Sequence, residues 1–331
     1  MRILAYSCRP DETEYFEHFA QKHGAEVVQN EQEPSPDTAG LAKGFDCISI
    51  AATPLPAPLL QQFCDMGVRF ISSRTVGYDH IDLKAAQQMG LQVGNVSYSP
   101  GSVADFAIML MLMVTQRMKT ILEQADIQDY TLDALRGREL PDMTVGVMGA
   151  GTIGQTVLRH LSGFGCRLLA YDLYENEETK RYASFVPLET LLGESDIITL
   201  HMPATPKNRH FINKETIAAM KDGAILINTA RGSLVHTGDL IEAIRQKKLG
   251  GAALDVLEQE EGIFYNDLTG QVMDMPELAV LRAFPNVIIT PHIAFFTDHA
   301  VSDMVEHSIL SCALFVQGKE NPWQITPLKP N

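Results

Sequence analysis

A length of 331 residues suits about two domains, and 45% apolar with 20% charged residues suits a buried core rather than a disordered chain. Lys plus Arg is 26 against 41 Asp plus Glu, a net charge of −15. That balance argues against nucleic-acid backbone binding, which needs clustered cations, yet one local Arg still lets a cleft hold a small anion.

The first residues break their apolar run at Ser7, Cys8 and Arg9, before a leader's apolar stretch is complete, so a cytoplasmic protein is expected. Arg2–Tyr6 reads as a strand, and Thr13–Lys22 as a helix closed by Gly24. Asp46–Ile50 is a strand, with a helix near Pro58–Met66. Arg69–Ser72 is a strand, Leu83–Met89 a helix and Leu91–Val93 a short strand. Alternation of this kind is the pattern of a parallel α/β sheet.

A long helix opens near Ser102, the expected cap, with Asp105 at the third helical position. Its apolar run, Phe106–Val114, has nine residues, against the roughly 20 needed to span a membrane. It is apolar all round, so burial between domains or subunits is expected. The five cysteines, Cys8, Cys47, Cys64, Cys166 and Cys312, form no CxxC, so neither a disulfide framework nor a metal site is expected.

A second series of strands follows: Thr144–Met148, Arg167–Tyr171, Ile197–Leu200, Ala224–Asn228, Gly251–Leu254 and Val287–Thr290. Six strands with helices between them fit a doubly wound dinucleotide-binding domain. The last helix, Asp298 to about Gln317, comes after that set is complete and is assigned to the first unit. The tail, 318–331, reads as an irregular arm. The expected fold is therefore α/β, with two doubly wound parallel-sheet domains. A Rossmann domain, 101–297, is inserted in a discontinuous, flavodoxin-like domain, 1–100 plus 298–331.

Between the first two strands of the second series lies Gly149-Ala150-Gly151-Thr152-Ile153-Gly154, a GxGxxG that follows a strand and opens a helix, Ile153–Leu161. In that context Gly149 makes the turn, Gly151 lets pyrophosphate approach, and Gly154 lets helix and strand pack. The helix N-terminus offers its N–H groups to the phosphates. Asp172 ends the next strand, 18 residues past Gly154. An acid there accepts ribose hydroxyls and repels a 2′-phosphate, and no Arg or Lys adjoins it, so NAD rather than NADP is expected.

Three polar residues follow the later strands: Arg231 after Ala224–Asn228, Glu260 after Gly251–Leu254 and His292 after Val287–Thr290. Taken singly, each has a plain reading as surface charge, solvated acidic loop or packing histidine. Together, at three consecutive strand ends, they suit hydride transfer. His292 serves as acid/base, Glu260 favours its imidazolium and orients the ring, and Arg231 binds a carboxylate and polarises the carbonyl.

These residues, with Ser73–Asp82, Asn95–Phe106, Thr144–Gly154, Ile227–Val235, Gly250–Glu260 and Asn286–Thr297, resemble the NAD-dependent D-2-hydroxyacid dehydrogenases over nearly the whole chain. The similarity is to the D-lactate and (R)-2-hydroxyisocaproate branch and to the D-lactate dehydrogenases of vancomycin-resistance operons. The resemblance implies a catalytic set of Arg231, Glu260 and His292. It implies NAD contacts from Thr152, Ile153, Asp172, Met202, Pro203, Asn208, Thr229, Ala230 and Asp255. It also implies a substrate carboxylate on the N–H groups of Val76 and Gly77, with Tyr98 and Phe295 facing the substrate. A cleft between two domains and a homodimer built on the cofactor domain are further implications.

Two departures stand out. The segment Asn95–Pro100 is one residue shorter than in many relatives, and Ala51 stands where strict lactate enzymes carry a tyrosine. Ala51 leaves room for a longer side chain, and one extra methylene is worth only about 1–3 kcal/mol. The expected function is interconversion of a 2-oxo acid and an (R)-2-hydroxy acid, pyruvate and D-lactate first. Branched-chain or aromatic 2-oxo acids are the alternative. A non-catalytic NADH-sensing scaffold, and a phosphorylated substrate with Arg74 as its lone candidate cation, trail both.

Overall fold

Segments such as Cys47–Ile50 and Ala224–Asn228 are apolar at nearly every position and buried throughout. Strands covered on both faces take that pattern, and both sheets of this protein are parallel. The computed structural model describes residues 1–133 and 135–326. The chain divides into two units. The first takes Met1–Ser99 and the chain from Phe296 onward; the second is Pro100–Phe295.

The first unit holds β1 (Arg2–Ala5), β2 (Glu26–Gln29), β3 (Cys47–Ile50), β4 (Phe70–Ser73) and β5 (Gln92–Gly94), in the order β2-β1-β3-β4-β5. That is the flavodoxin-like order. The helix Thr13–His23 ends at Gly24, which takes the left-handed φ of 64° that a C-terminal turn requires. The last helix, Asp298–Val316, packs on this sheet through Val305, Ile309 and Cys312. The arm beyond it lies along β5, with Gln324 opposite Gly94, Ile325 N donating to Val93 O at 2.8 Å and Asn95 N to Trp323 O at 3.0 Å. Its final stretch, 327–331, lies outside the described residues.

Arg74 is wholly buried in this unit. Its guanidinium meets Glu12 at 3.3 Å, Ser49 Oγ at 3.0 Å and the carbonyls of Tyr6 and Ser7 at 2.8 and 3.1 Å. Every one of those partners is internal, so its role is structural. The segment before the second unit is held from the C-terminal side. His307 Nδ1 donates to Ser97 O at 2.5 Å, Trp323 Nε1 to Ser97 Oγ at 2.9 Å, and the two rings stack 4.6 Å apart.

The second unit holds β6 (Thr144–Met148), β7 (Arg167–Tyr171), β8 (Ser184–Phe185), β9 (Ile197–Leu200), β10 (Ala224–Asn228), β11 (Leu249–Leu254) and β12 (Val287–Ile289). The order is β12-β11-β10-β9-β6-β7-β8. The chain winds one way from β6 and the other way from β9, so the topological switch point lies between these two strands. In such sheets ligands bind beyond the carboxyl ends at that point.

Two strands escape the sequence pattern, β2 and β8. Both are sheet edges, and an edge strand needs no apolar covering on both faces. The expected cap at Ser102 is corrected. The helix runs Gly101–Thr115 with Pro100 as its first boundary residue and no side-chain cap, which leaves Ser102 inside the first turn. Proline's fixed φ already suits a helix start. Within the second unit the core takes one side of this helix. Ala104, Ala107, Ile108 and Met111 enter the core, whereas Asp105 and Met109 are exposed. Among the described residues, no helix is long and apolar enough to cross a membrane.

Candidate active site

The glycine loop leaves β6 and opens the helix Thr152–Leu161. Gly149 turns at φ 96°, and a Cβ there would fall 2.6 Å from the His201 carbonyl carbon. A Cβ on Gly154 would meet Gly149 O at 1.9 Å. Both positions therefore demand glycine for packing. Gly151 is different, because nothing of the protein lies within 4 Å of where its Cβ would be. It opens onto free space at a helix N-terminus, as a pyrophosphate cradle requires. Met202 N lies 2.7 Å from the Cβ position of Gly149, so the segment starting Met202 and Pro203 borders the cradle.

Asp172, at the end of β7, ties this loop down. Its Oδ2 accepts from Ala150 N at 2.6 Å and its Oδ1 from Tyr174 N at 3.0 Å. Thr152 and Ile153 form the first turn of the helix, with Ile153 packed against the core. Asn208 spends its amide within its own loop, donating to Pro203 O at 2.8 Å and accepting from Thr205 N at 2.7 Å. Thr229 Oγ1 is buried and has no hydrogen-bond partner among the described residues. An orphaned hydroxyl beside the strand ends fits a ligand that completes it. Ala230 N is held by Asn228 Oδ1 at 3.0 Å.

The acid–base pair is built at the neighbouring strand ends. His292 Nδ1 lies 2.5 Å from Glu260 Oε1, and Glu260 Oε2 accepts from Leu257 N at 2.7 Å. The carboxylate places the proton on Nδ1 and leaves Nε2 as the working nitrogen. Nε2 makes no hydrogen bond among the described residues. The two side chains keep 28% and 20% of their exposure.

His292 itself sits at φ 54°, a costly backbone state for a non-glycine residue. Its surroundings impose that state. Its N–H is shared by Asp255 O and Thr290 O at 2.8 and 3.0 Å, and its carbonyl accepts from Tyr265 OH at 2.6 Å. The Asp255 carboxylate then takes Thr290 Oγ1 at 2.5 Å, Ile293 N at 3.0 Å and Ala294 N at 2.9 Å. Burial pushes the Asp255 carboxyl up, and those hydrogen bonds, with the nearby His292, pull against it. Asp255 thus fixes the His292 turn from beneath, a role its position after β11 did not reveal. Tyr265 was not singled out either; only its aromatic character beside the acidic run could have marked it.

Arg231 follows β10. Asn228 Nδ2 donates to its carbonyl at 2.9 Å, and its own Nη1 donates to Ala230 O at 2.7 Å. Phe295 lies three residues past His292, partly exposed.

In the first unit, Ala51 directly follows β3 and Tyr98 follows Ser97. Val76 and Gly77 form a tight loop. Thr75 Oγ1 donates to Gly77 O at 2.6 Å, and Asn95 Nδ2 to Val76 O at 2.8 Å. The N–H groups of Val76 and Gly77 donate to nothing among the described residues.

The switch-point glycine loop, the acid at the end of β7 and the histidine–carboxylate pair define a nicotinamide-dependent oxidoreductase. Residues 108–294 match the D-isomer specific 2-hydroxyacid dehydrogenase NAD-binding domain, and the chain belongs to that family. It is 45% identical over 316 residues to a D-specific alpha-keto acid dehydrogenase of Enterococcus faecalis, covering 95% of this chain and 97% of that protein. It is 42% identical over 318 residues to an aromatic 2-oxoacid reductase of Clostridium sporogenes, covering 95% and 96%. A solved D-2-hydroxyisocaproate dehydrogenase superposes with a TM-score of 0.89 at 35% identity, covering 98% of this chain and all of that one. The protein is an NAD-dependent enzyme that interconverts 2-oxo and 2-hydroxy acids.

Proposed function

We propose that the enzyme reduces pyruvate and related 2-oxo acids to (R)-2-hydroxy acids, reversibly, with His292 as proton donor, Glu260 as its support and Arg231 as the substrate's anchor. The observation that carries this reading is the Glu260–His292 pair with its unspent Nε2. When bound, NADH supplies the hydride. The chain's own residues do the rest. Arg231 binds the carboxylate and draws electron density toward the carbonyl oxygen. His292 Nε2 gives that oxygen its proton, and Glu260 stabilises the imidazolium from which the proton leaves.

The remaining assignments belong to the same reading. Gly149, Gly151, Thr152, Ile153 and Gly154 hold the pyrophosphate, and Asp172 the adenosine ribose. Met202, Pro203, Asn208, Thr229, Ala230 and Asp255 line the rest of the dinucleotide's course. In the first unit, the donors at Val76 and Gly77 suit a carboxylate, with Ala51 and Tyr98 as substrate contacts; in the second, Phe295 has that role. The first unit, 1–100 plus 298–331, is read as the substrate domain and 101–297 as the cofactor domain. A cytoplasmic homodimer is expected. An uncovered apolar face formed by Met109, Leu112, Met113 and Phe164 on the second unit supports the dimer.

A larger 2-oxo acid is the second reading, favoured by Ala51 and by the names of the relatives above. Loss of NADH absorbance with pyruvate, 2-oxobutyrate, 2-oxoisocaproate and phenylpyruvate separates the two. Highest kcat/KM on pyruvate supports the first. A preference of about tenfold, roughly 1.4 kcal/mol, for 2-oxoisocaproate or phenylpyruvate supports the second. No turnover on any of them, or full activity in His292→Ala, overturns both.

A further inference from the structure

Two residues before Glu260, a second carboxylate holds a second histidine. Glu258 Oε1 accepts from His210 Nε2 at 2.6 Å, and Oε2 accepts from the N–H and the hydroxyl of Thr237, each at 3.0 Å. The exposed Arg209 reaches Oε1 at 3.5 Å and adds little. One carboxylate therefore joins three segments of the second unit: 201–210, 231–237 and 255–260. Backbone bonds join the same segments. His210 N donates to Ser233 O at 2.8 Å, Ile212 N to Leu234 O at 2.9 Å and His236 N to Ile212 O at 2.8 Å. Gly232, next to Arg231, passes so close to the Glu260 turn that a Cβ would lie 2.0 Å from the Leu257 carbonyl.

Two residues in this region adopt backbone states that favour glycine, His210 at φ 53° and Gln259 at φ 58°. Such states persist where the surroundings over-determine them. Gln259 is the link between Glu258, which points to His210 and Thr237, and Glu260, which points to His292. The orientation of Glu260 thus depends on a strained turn whose outer side is fastened by Glu258.

We infer that Glu258 and His210 are positioning residues for the reaction: their hydrogen bond holds the turn that presents Glu260 to His292 and keeps it in register with the Arg231 loop. This rests on the roles given above to His292 and Glu260. The 2.5 Å contact between those two leaves little slack, and a misplacement of about 1 Å at a reacting centre costs roughly 100-fold in rate.

The test is steady-state kinetics of the full-length enzyme carrying Glu258→Ala, His210→Ala or His210→Gln. Glu260→Gln is the reference, and Glu242→Gln, from an exposed pair with Arg245, is the surface control. Glu258→Ala and His210→Ala are expected to lower kcat about tenfold or more, with KM for NADH changed less than about threefold. Their solvent deuterium isotope effect on kcat is expected to rise as proton delivery becomes harder. His210→Gln still offers an N–H to Glu258 and is expected to recover kcat to within about threefold of wild type.

A folded Glu258→Ala with kcat within about twofold of wild type overturns the inference. So does a His210→Gln no better than His210→Ala, because only a donor to Glu258 distinguishes them. If Glu258→Ala does not fold, the two His210 variants decide alone. Failure of the underlying reading looks different: Glu260→Gln is then as active as wild type, and the inference falls with it. Impaired Glu260→Gln beside an unimpaired, folded Glu258→Ala overturns the clamp alone.

Discussion

In the first unit, Arg74 and Glu12 pair with 1% and 0% of their side chains exposed. In the second, His292 and Glu260 pair with 28% and 20% exposed. Both set a nitrogen side chain against a carboxylate inside an α/β unit, yet they do different work. The Arg74 guanidinium has turned its donors to internal partners: a carboxylate, a hydroxyl and two carbonyls. His292 has bonded only one ring nitrogen, and the other makes no hydrogen bond among the described residues. A fully satisfied buried group fixes structure, whereas a half-satisfied one at a strand end has valence left for a ligand.

The largest expected effect breaks the open couple. His292→Ala should lower kcat by about 10²–10⁴, the usual worth of a general acid, while thermal unfolding stays near wild type. Stopped-flow or steady-state NADH oxidation and a melting curve check both halves. Next comes the closed couple. Glu12→Ala leaves Arg74 as an uncompensated buried charge and should destabilise the chain by about 3–5 kcal/mol, read by urea titration. Turnover by the fraction that remains folded should change little, and adding Arg74→Met should restore much of the loss. A variant in either couple that moved both quantities equally would erase the contrast.

A smaller effect comes from pH. Desolvation pulls the His201 imidazole down to about 3 from an ordinary 6.5. The folded chain then binds fewer protons there than the unfolded chain. Its contribution is complete above pH 6.5 and is lost as pH falls toward 3, at about 1 kcal/mol per pH unit given the residue's partial exposure. His201→Gln should flatten that slope in urea titrations between pH 7 and pH 5. The smallest effect is at the surface. Arg167 and Glu194 meet at 2.6 Å but are 58% and 45% exposed, so Glu194→Gln should shift stability by less than about 1 kcal/mol.

The inner strands were legible because each is a short apolar run bounded by turns, as in Ala224–Asn228. The edge strands β2 and β8 were not, since half-exposed runs such as Glu-Val-Val-Gln carry no such signature. The placement of Arg231, Glu260 and His292 at strand ends could also be read locally. Their couplings could not. Glu260 and His292 meet across 32 residues, Asp255 and Ala294 across 39, and His210 and Glu258 across 48. A pattern of period two or 3.6 describes neighbours along one element, and these contacts arise only when separate strand ends come side by side. The Ser102 cap failed for a local reason, because the helix starts from Pro100, two residues earlier.

Trp323, stacked on His307 and bonded to Ser97, is the chain's only tryptophan. It belongs to the first unit, while the dinucleotide-binding motif belongs to the second. Indole emission is therefore a built-in label for one unit, and the other is tryptophan-silent. Far-ultraviolet ellipticity reports helices in both. Followed side by side during denaturation, the two signals coincide if the units melt together and separate if one yields first, with no dye attached and no residue replaced.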